Sequence, residues 1–314
     1  MSATATLRTT NRAARFFFMH LGSLVAVIVY FTLGNRAGWS VEGVRTALLV
    51  ALVVKTGYMA VAWRQGELKH FDFALWTLFA LGTVLTSAGV GWGLRLFRVY
   101  SPALVFTAFG LSAIGPLVLG WEPFTLYYAR RQTPAWQQKA PQFAAITRVM
   151  AAFWALIFFV AAALCAWAPT DVWFNTIFPN LLVFVIGIPA VLWVPPLYSR
   201  LVPAPLPESV EVLILGMPFV FDRRAANGAS AVFQFHVSGA ETGDWWVRVA
   251  GRRCKSGEGV DPAADLTVHT PDVVWRRIVH GDIDGGQALG QGLYRIEGNL
   301  DLLPKLQDWF RSRR

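Results

Sequence analysis

The sequence predicts two parts in series. Residues 1–200 read as an α-helical polytopic membrane domain of about six spans, and residues 231–314 as a small α+β domain with a mainly antiparallel sheet. Three observations carry this. Of 314 residues, 55% are hydrophobic and only 15% charged, against about 25% charged in soluble domains. The acids before residue 200 are only Glu42, Glu67, Asp72, Glu122 and Asp171. Beyond residue 230, long apolar runs give way to alternation of apolar and polar residues, the period of a half-buried strand.

About 20 apolar residues cross the hydrocarbon of a bilayer. Six segments qualify: 16–34, 46–63, 73–94, 99–121, 149–168 and 177–199. Arg8, Arg12 and Arg15 precede the first, and no small-residue cleavage site follows it, so it reads as a span rather than a removed signal. Pro179, Pro189, Pro195 and Pro196 predict a kinked sixth helix. Trp39, Trp63, Trp92, Trp121, Trp167 and Trp173 stand at span ends, where an interfacial belt is expected.

Lysine and arginine in the short loops orient the spans. Arg8, Arg12, Arg15, Arg64, Lys69, Arg130, Arg131, Lys139 and Arg148 fall on one side. Arg36, Arg45, Arg95 and Arg98 fall on the other. Nine against four predicts an integral protein of a bacterial cytoplasmic membrane with both termini cytoplasmic. The segments after spans two and four are weakly alike, which fits either a three-plus-three repeat or chance similarity of apolar sequence. "PFTLYYARRQTPAWQQKAPQF" is similar to a loop of uncharacterised bacterial membrane proteins, a resemblance that brings no activity with it.

The formal net charge of +9 belongs to the apolar part, since acids and bases nearly balance after residue 200. Its cations lie in short loops rather than on one soluble face, so no nucleic-acid partner is expected. Cys165 and Cys254 fall in different phases and read as unpaired thiols. No Cys/His cluster suggests a metal, and no phosphate-cradling loop, nucleophile elbow or acid pair suggests a cofactor or covalent catalysis. No catalytic residue and no protein partner is named.

Two polar residues within spans are candidates for a site. Lys55 lies in the second span, where a charge is costly and often functional. Its alternative is to snorkel to the interface. No acid stands mid-span elsewhere, so no internal partner is evident. His20 lies one turn into the first span, where it could meet a lipid headgroup or simply be hydrogen-bonded at the interface. Glu67, His70 and Asp72 read as a solvated loop cluster rather than half of a metal motif.

Residues 201–230 open with "VPAPLPE" and read as a stiff linker and lead-in segment. Phe233, Phe235 and Val237 then alternate with polar residues, as do Trp245, Val247 and Val249. A third strand surrounds Cys254, and Leu266 and Val268 mark a fourth. Thr270 as N-cap and Pro271 at the first helical position predict a helix carrying Ile278 and ending at Gly281. "DIDGGQALGQG" is a loop or weak helix. Tyr294 and Ile296 belong to a last strand ended by Gly298, and a helix with Leu300, Leu303, Leu306 and Phe310 closes the chain.

The pieces "FQFHVSG", "ADLTVHTPDVVWRRIVHGDID" and "GLYRIEGNLDLLPKL" together resemble a sterol carrier protein 2 (SCP2) domain over about residues 233–310. Pro304 and the Gly-rich "DGGQALGQG" depart from the family pattern. The resemblance implies an apolar tunnel between sheet and helices that holds an acyl chain, sterol or isoprenoid without covalent chemistry. Its walls would be Phe233, Phe235, Val237, Trp245, Val247, Leu266 and Val268 from the strands. Ile278, Tyr294, Ile296, Leu300 and Leu303 would complete them. The expected partners are a lipid and the membrane, and the expected function is a membrane-anchored lipid-binding or transfer protein. The alternative is a lipid-modifying membrane enzyme, or a transporter, with a substrate-feeding or regulatory domain.

Overall fold

The computed structural model describes residue 22 and residues 24–310. The chain divides into two compact units, one of residues 1–129 and 146–200, the other of residues 130–145 and 201–314.

The first unit is helical. Its elements are α1 (Leu24–Arg36), α2 (Val41–Arg64), α3 (His70–Ser87), α4 (Gly91–Val99), α5 (Ser101–Val118) and α6 (Phe124–Gln132). α8 (Pro141–Trp167) and α9 (Trp173–Leu201) complete it, while the short α7 (Ala135–Gln138) between α6 and α8 belongs to the second unit. Four of these, α2, α5, α8 and α9, are long and apolar enough to cross a membrane, and α1 is a shorter apolar helix. The third expected span is divided at residue 90 between α3 and α4, and α3 opens on His70 and Asp72.

Ser40 starts α2 by accepting the Gly43 N–H at 3.2 Å, with Glu42 in the first turn. Small residues set the packing distance. Ala47, Ala51 and Ala108 are buried beside Leu48, Leu75 and Phe79, and a Cβ at Gly82 would stand 2.7 Å from the Phe97 ring. Close approach through small residues is what holds helices together where water supplies no drive. The proline-rich α9 alternates between α and π turns, the π turns spanning Trp173–Ile177 and Leu182–Gly187. Pro179 and Pro189 have no N–H for the α ladder, and the wider turns accommodate them.

The second unit is α+β. Residues 201–230, the expected linker and lead-in, carry three short helices: α10 (Val210–Leu215), α11 (Met217–Val220) and α12 (Arg223–Ala226). Val210, Ile214, Leu215, Met217 and Ala226 are buried in the unit's core. The strands are β1 (Ser230–Ser238), β2 (Gly243–Ala250), β3 (Arg253–Glu258), β4 (Leu266–Pro271) and β5 (Arg295–Gly298), in the order β3-β2-β1-β4-β5. Three pairings are antiparallel, and the central β1–β4 pair is parallel. The sheet is therefore mixed. A parallel neighbour needs a long crossover, and here β2, β3 and the loop after them supply it.

Helices α13 (Asp272–His280), α14 (Gly285–Gly290) and α15 (Leu302–Trp309) complete the unit. The start of α13 differs from the expectation. Thr270 and Pro271 still pair with Val237 and Ser238 of β1, and Pro271 is the N-cap. Its stop is as expected, at Gly281 with φ +82°, a left-handed cap that glycine adopts without penalty. Gly298 is equally constrained. Its φ is +98°, and a Cβ there would stand 2.4 Å from the Asp265 carbonyl oxygen. That close approach lets Asn299 donate to the same oxygen at 2.9 Å.

Candidate functional site

The inner face of the sheet follows from period and register. Alternation along β1 puts Phe233, Phe235 and Val237 on one side. Register then extends the face sideways. Phe235 lies opposite Trp245 on β2 and Val268 on β4, and Val268 opposite Ile296 on β5. Phe233 lies opposite Val247 and Leu266. Two rows of apolar side chains thus cross the sheet. Phe233, Phe235, Val247, Leu266 and Val268 have no exposed surface, and burying each such side chain stabilises by roughly 1.5–3 kcal/mol.

Aromatic rings cover these rows. Trp275 of α13 meets Phe235 edge-on, with centroids 5.0 Å apart. Trp309 of α15 and Phe310 meet Phe233 in the same way, at 5.9 and 6.1 Å. Val237, Trp245 and Tyr294 are buried, Ile278, Ile296 and Leu303 are partly buried, and Leu300 is 60% exposed. Leu300 therefore stands outside the apolar interior. The buried stripe of α15 is Leu302, Leu306 and Trp309, the spacing of one helical face, in place of the expected Leu300, Leu303, Leu306 and Phe310. The sequence reading missed Trp275 and Trp309. Asp272, Trp275 and Ile278 recur every three residues, and that signal would have found the first.

Backbone and side-chain bonds fix the helices over this face. The Tyr294 hydroxyl donates to the Gly285 carbonyl at 2.9 Å, and burial raises its pKa above the ordinary phenol value. Asp272 is buried at the start of α13 and accepts from the backbone N–H of Val273 at 2.8 Å and of Glu241 at 3.2 Å. The Glu241 N–H, more than any other group, holds the Asp272 carboxyl below its usual range. Glu241 in turn accepts from the Ser209 hydroxyl at 2.6 Å and from the Val210 N–H, which ties α10 to the β1–β2 turn. Burial pushes the Cys254 thiol up to about 12, which favours the thiol over the thiolate at neutral pH. The indole Nε1 of Trp275, by contrast, is buried without any hydrogen-bond partner.

The helical unit holds its own polar site. Lys55 is fully buried, and its Nζ donates to Asp72 Oδ1 at 2.7 Å, both side chains having zero exposure. This corrects the sequence reading, which saw no partner for Lys55 and placed Asp72 in a solvated loop. Asp72 lies in the first turn of α3, where its Oδ2 accepts the Lys69 N–H at 3.1 Å. That bond pins the carboxylate at a helix N-terminus, which favours negative charge. Glu67 is buried and accepts from the Tyr127 hydroxyl, while His70 stacks on Trp121 at 5.8 Å. The expected loop cluster is thus dispersed among separate partners. Lys69, His70, Glu122, Tyr127 and Tyr128 line a cavity of about 320 Å³ whose apolar wall includes Phe71, Phe124 and Phe158. His20 lies outside the described residues.

Residues 222–311 match the SCP-2 sterol transfer family. The C-terminal part of the chain is accordingly an SCP2 domain; the match does not extend to the helical unit. Among solved structures, sterol carrier protein 2-like 2 from Aedes aegypti shares 26% identity. That likeness covers 30% of this chain and 86% of that one, with a TM-score of 0.27. A palmitated form of the same protein shares 26% identity over 33% of this chain and 96% of that one, with a TM-score of 0.28. Sterol carrier protein 2 from Yarrowia lipolytica, in its apo form, shares 17% over 32% and 92%, with a TM-score of 0.26. No curated protein matches the chain.

Proposed function

We propose that the SCP2 domain binds an apolar lipid between its sheet and its helices, and that the helical unit anchors it in a membrane as a lipid-transfer protein. The observation that carries this reading is the family match over residues 222–311, which covers the whole of the apolar sheet face. The lipid lies along the rows of Phe233, Phe235, Val247, Leu266 and Val268. Val237, Trp245, Ile278, Tyr294, Ile296 and Leu303 flank it. Trp275 of α13 and Trp309 of α15 fill this space in the structure, so entry requires those helices to move off the sheet. Both are short, and Gly281 and Gly298 flank them. The anchor is six spans with both termini on the cytoplasmic side of a bacterial inner membrane, as the arginine and lysine distribution indicates. Tethering keeps the carrier within a few nanometres of its lipid source and raises its effective concentration there.

The test is photocrosslinking of the full chain in nanodiscs with a photoactivatable fatty acid. Crosslinks are expected in peptides from residues 230–310, competed by unlabelled fatty acid. Ile296→Glu places a carboxylate in the wall, where an unpaired charge costs several kcal/mol, and is expected to abolish them. A second reading, that the helical unit acts on lipids itself as an enzyme or transporter, is favoured by the cavity beside Lys69 and His70. Crosslinks confined to α3 and α6 would select it and sink the first.

A further inference from the structure

We infer that the helical unit binds an amphipathic lipid with an anionic head. Its site is the cavity at the opening of α3 and α6, and Lys69 is the group that reads the charge. The inference rests on the membrane placement proposed above and not on lipid binding by the SCP2 domain.

The cavity has a polar mouth and an apolar depth. At the mouth, Lys69 and His70 open α3, Glu122 precedes α6, and Tyr127 and Tyr128 lie in the first two turns of α6. The depth is lined from α5 and α8, two helices long and apolar enough to cross a membrane. Ser112 lines it six residues before the end of α5 at Val118, about 9 Å along the helix. The rings there form a continuous surface. Phe71 stacks on Phe109 at 4.5 Å, and Phe109 meets Phe158 edge-on at 5.3 Å. A cavity divided in this way fits a molecule with the same division, a charged head and an apolar chain.

The sign of the head follows from where the charges lie. Lys69 is 8% exposed. Its ammonium stands over the rings of Tyr127 and Tyr128, 5.6 and 5.3 Å from their centroids, and those faces hold it in place. A charge so buried acts through a low dielectric. Glu122, on the same mouth, is exposed, and water and salt screen it. Glu67 accepts from the Tyr127 hydroxyl and is not part of the wall. Lys69 therefore dominates the interior of the cavity. An anion there also meets the positive ends of α3 and α6, whose opening residues form the mouth. A carboxylate or phosphate head thus reaches Lys69 while its chain lies on Phe71 and Phe158. A zwitterionic head brings a second cation towards Lys69 and gains less.

The test mixes the full chain, in neutral detergent, with phosphatidylglycerol that carries a photoactivatable group beside its head. Crosslinks are expected in residues 69–71 and 122–128. Unlabelled phosphatidylglycerol is expected to compete them away, and phosphatidylcholine of the same chains to compete poorly. Glycerol 3-phosphate, a phosphate head without chains, is expected to compete poorly as well. Lys69→Gln is expected to weaken phosphatidylglycerol about tenfold to a hundredfold, the value of one charge-assisted hydrogen bond, and to leave phosphatidylcholine unchanged. Lys69→Arg, which keeps the charge, is expected to retain the preference. If phosphatidylcholine or glycerol 3-phosphate competes as well as phosphatidylglycerol in the wild type, the inference is overturned, and neither comparison depends on a variant that folds. Crosslinks elsewhere in the chain overturn it too, while the membrane placement stands. A chain that alkaline carbonate strips from vesicles would overturn the membrane placement and this inference with it.

Discussion

In the helical unit, Lys55 and Asp72 are both without exposed surface and are bonded at 2.7 Å. In the SCP2 domain, Trp275 is buried almost as deeply, and its N–H has no acceptor. The first site pairs a charge with a counter-charge and adds a backbone N–H from Lys69 for the other carboxylate oxygen. The second is incomplete. A buried pair whose members satisfy one another is explained by structure, because removing either partner leaves a bare charge. A buried donor with no acceptor gives up its bond to water and gains nothing in its place. The comparison thus shifts attention from the most conspicuous polar residue of the sequence, Lys55, to one that no motif marks.

The comparison breaks most visibly at the ion pair. Lys55→Met is expected to destabilise the helical unit by about 3–5 kcal/mol, because the buried Asp72 carboxylate loses its bond to the Lys55 ammonium. Lys55→Met with Asp72→Leu is expected to recover most of that loss. Thermal unfolding in detergent measures both, and a single variant as stable as the wild type would show that the pair is not buried.

A comparable loss is expected in the SCP2 domain from Phe235→Ala. The ring has no exposed surface and touches Trp275, so its removal costs about 3–5 kcal/mol if no lipid fills the space. Saturating fatty acid is expected to reduce the deficit, since a ligand that binds only the folded state raises its stability. Unfolding midpoints with and without hexadecanoate decide this. A deficit that ligand does not change would make the inner face a packed core and nothing more.

The smallest effect sharpens the contrast through pH. Asp272 has its native carboxyl below the ordinary value of about 3.9 because it accepts the Glu241 and Val273 N–H groups. The folded state thus binds this proton less readily than the unfolded state. Its contribution is fully present above about pH 4 and is lost as pH falls through the lower native value. Asp272→Asn is expected to cost about 1 kcal/mol at neutral pH and to flatten the acid limb. Urea unfolding at pH 7, 4 and 3 measures it, and an unchanged acid limb would show that Asp272 does not hold α13 in place.

The sequence alone determined the division into an apolar helical part and an α+β part, because composition and apolar period are local properties. It determined which residues share the inner face, since alternation leaves Phe233, Phe235 and Val237 no choice of side. It also determined the stop at Gly281, where only the last residues of α13 matter. It could not decide what lies next to what. Lys55 and Asp72 are 17 residues apart in the chain, and nothing local to either predicts that α2 and α3 bring them together. The direction of β4 against β1, the helices formed by residues 210–226, and the exposure of Leu300 depend likewise on the path between elements. So does the isolation of the Trp275 N–H. A donor is left without a partner only when every neighbouring acceptor is already taken, and that is a property of the folded interior as a whole.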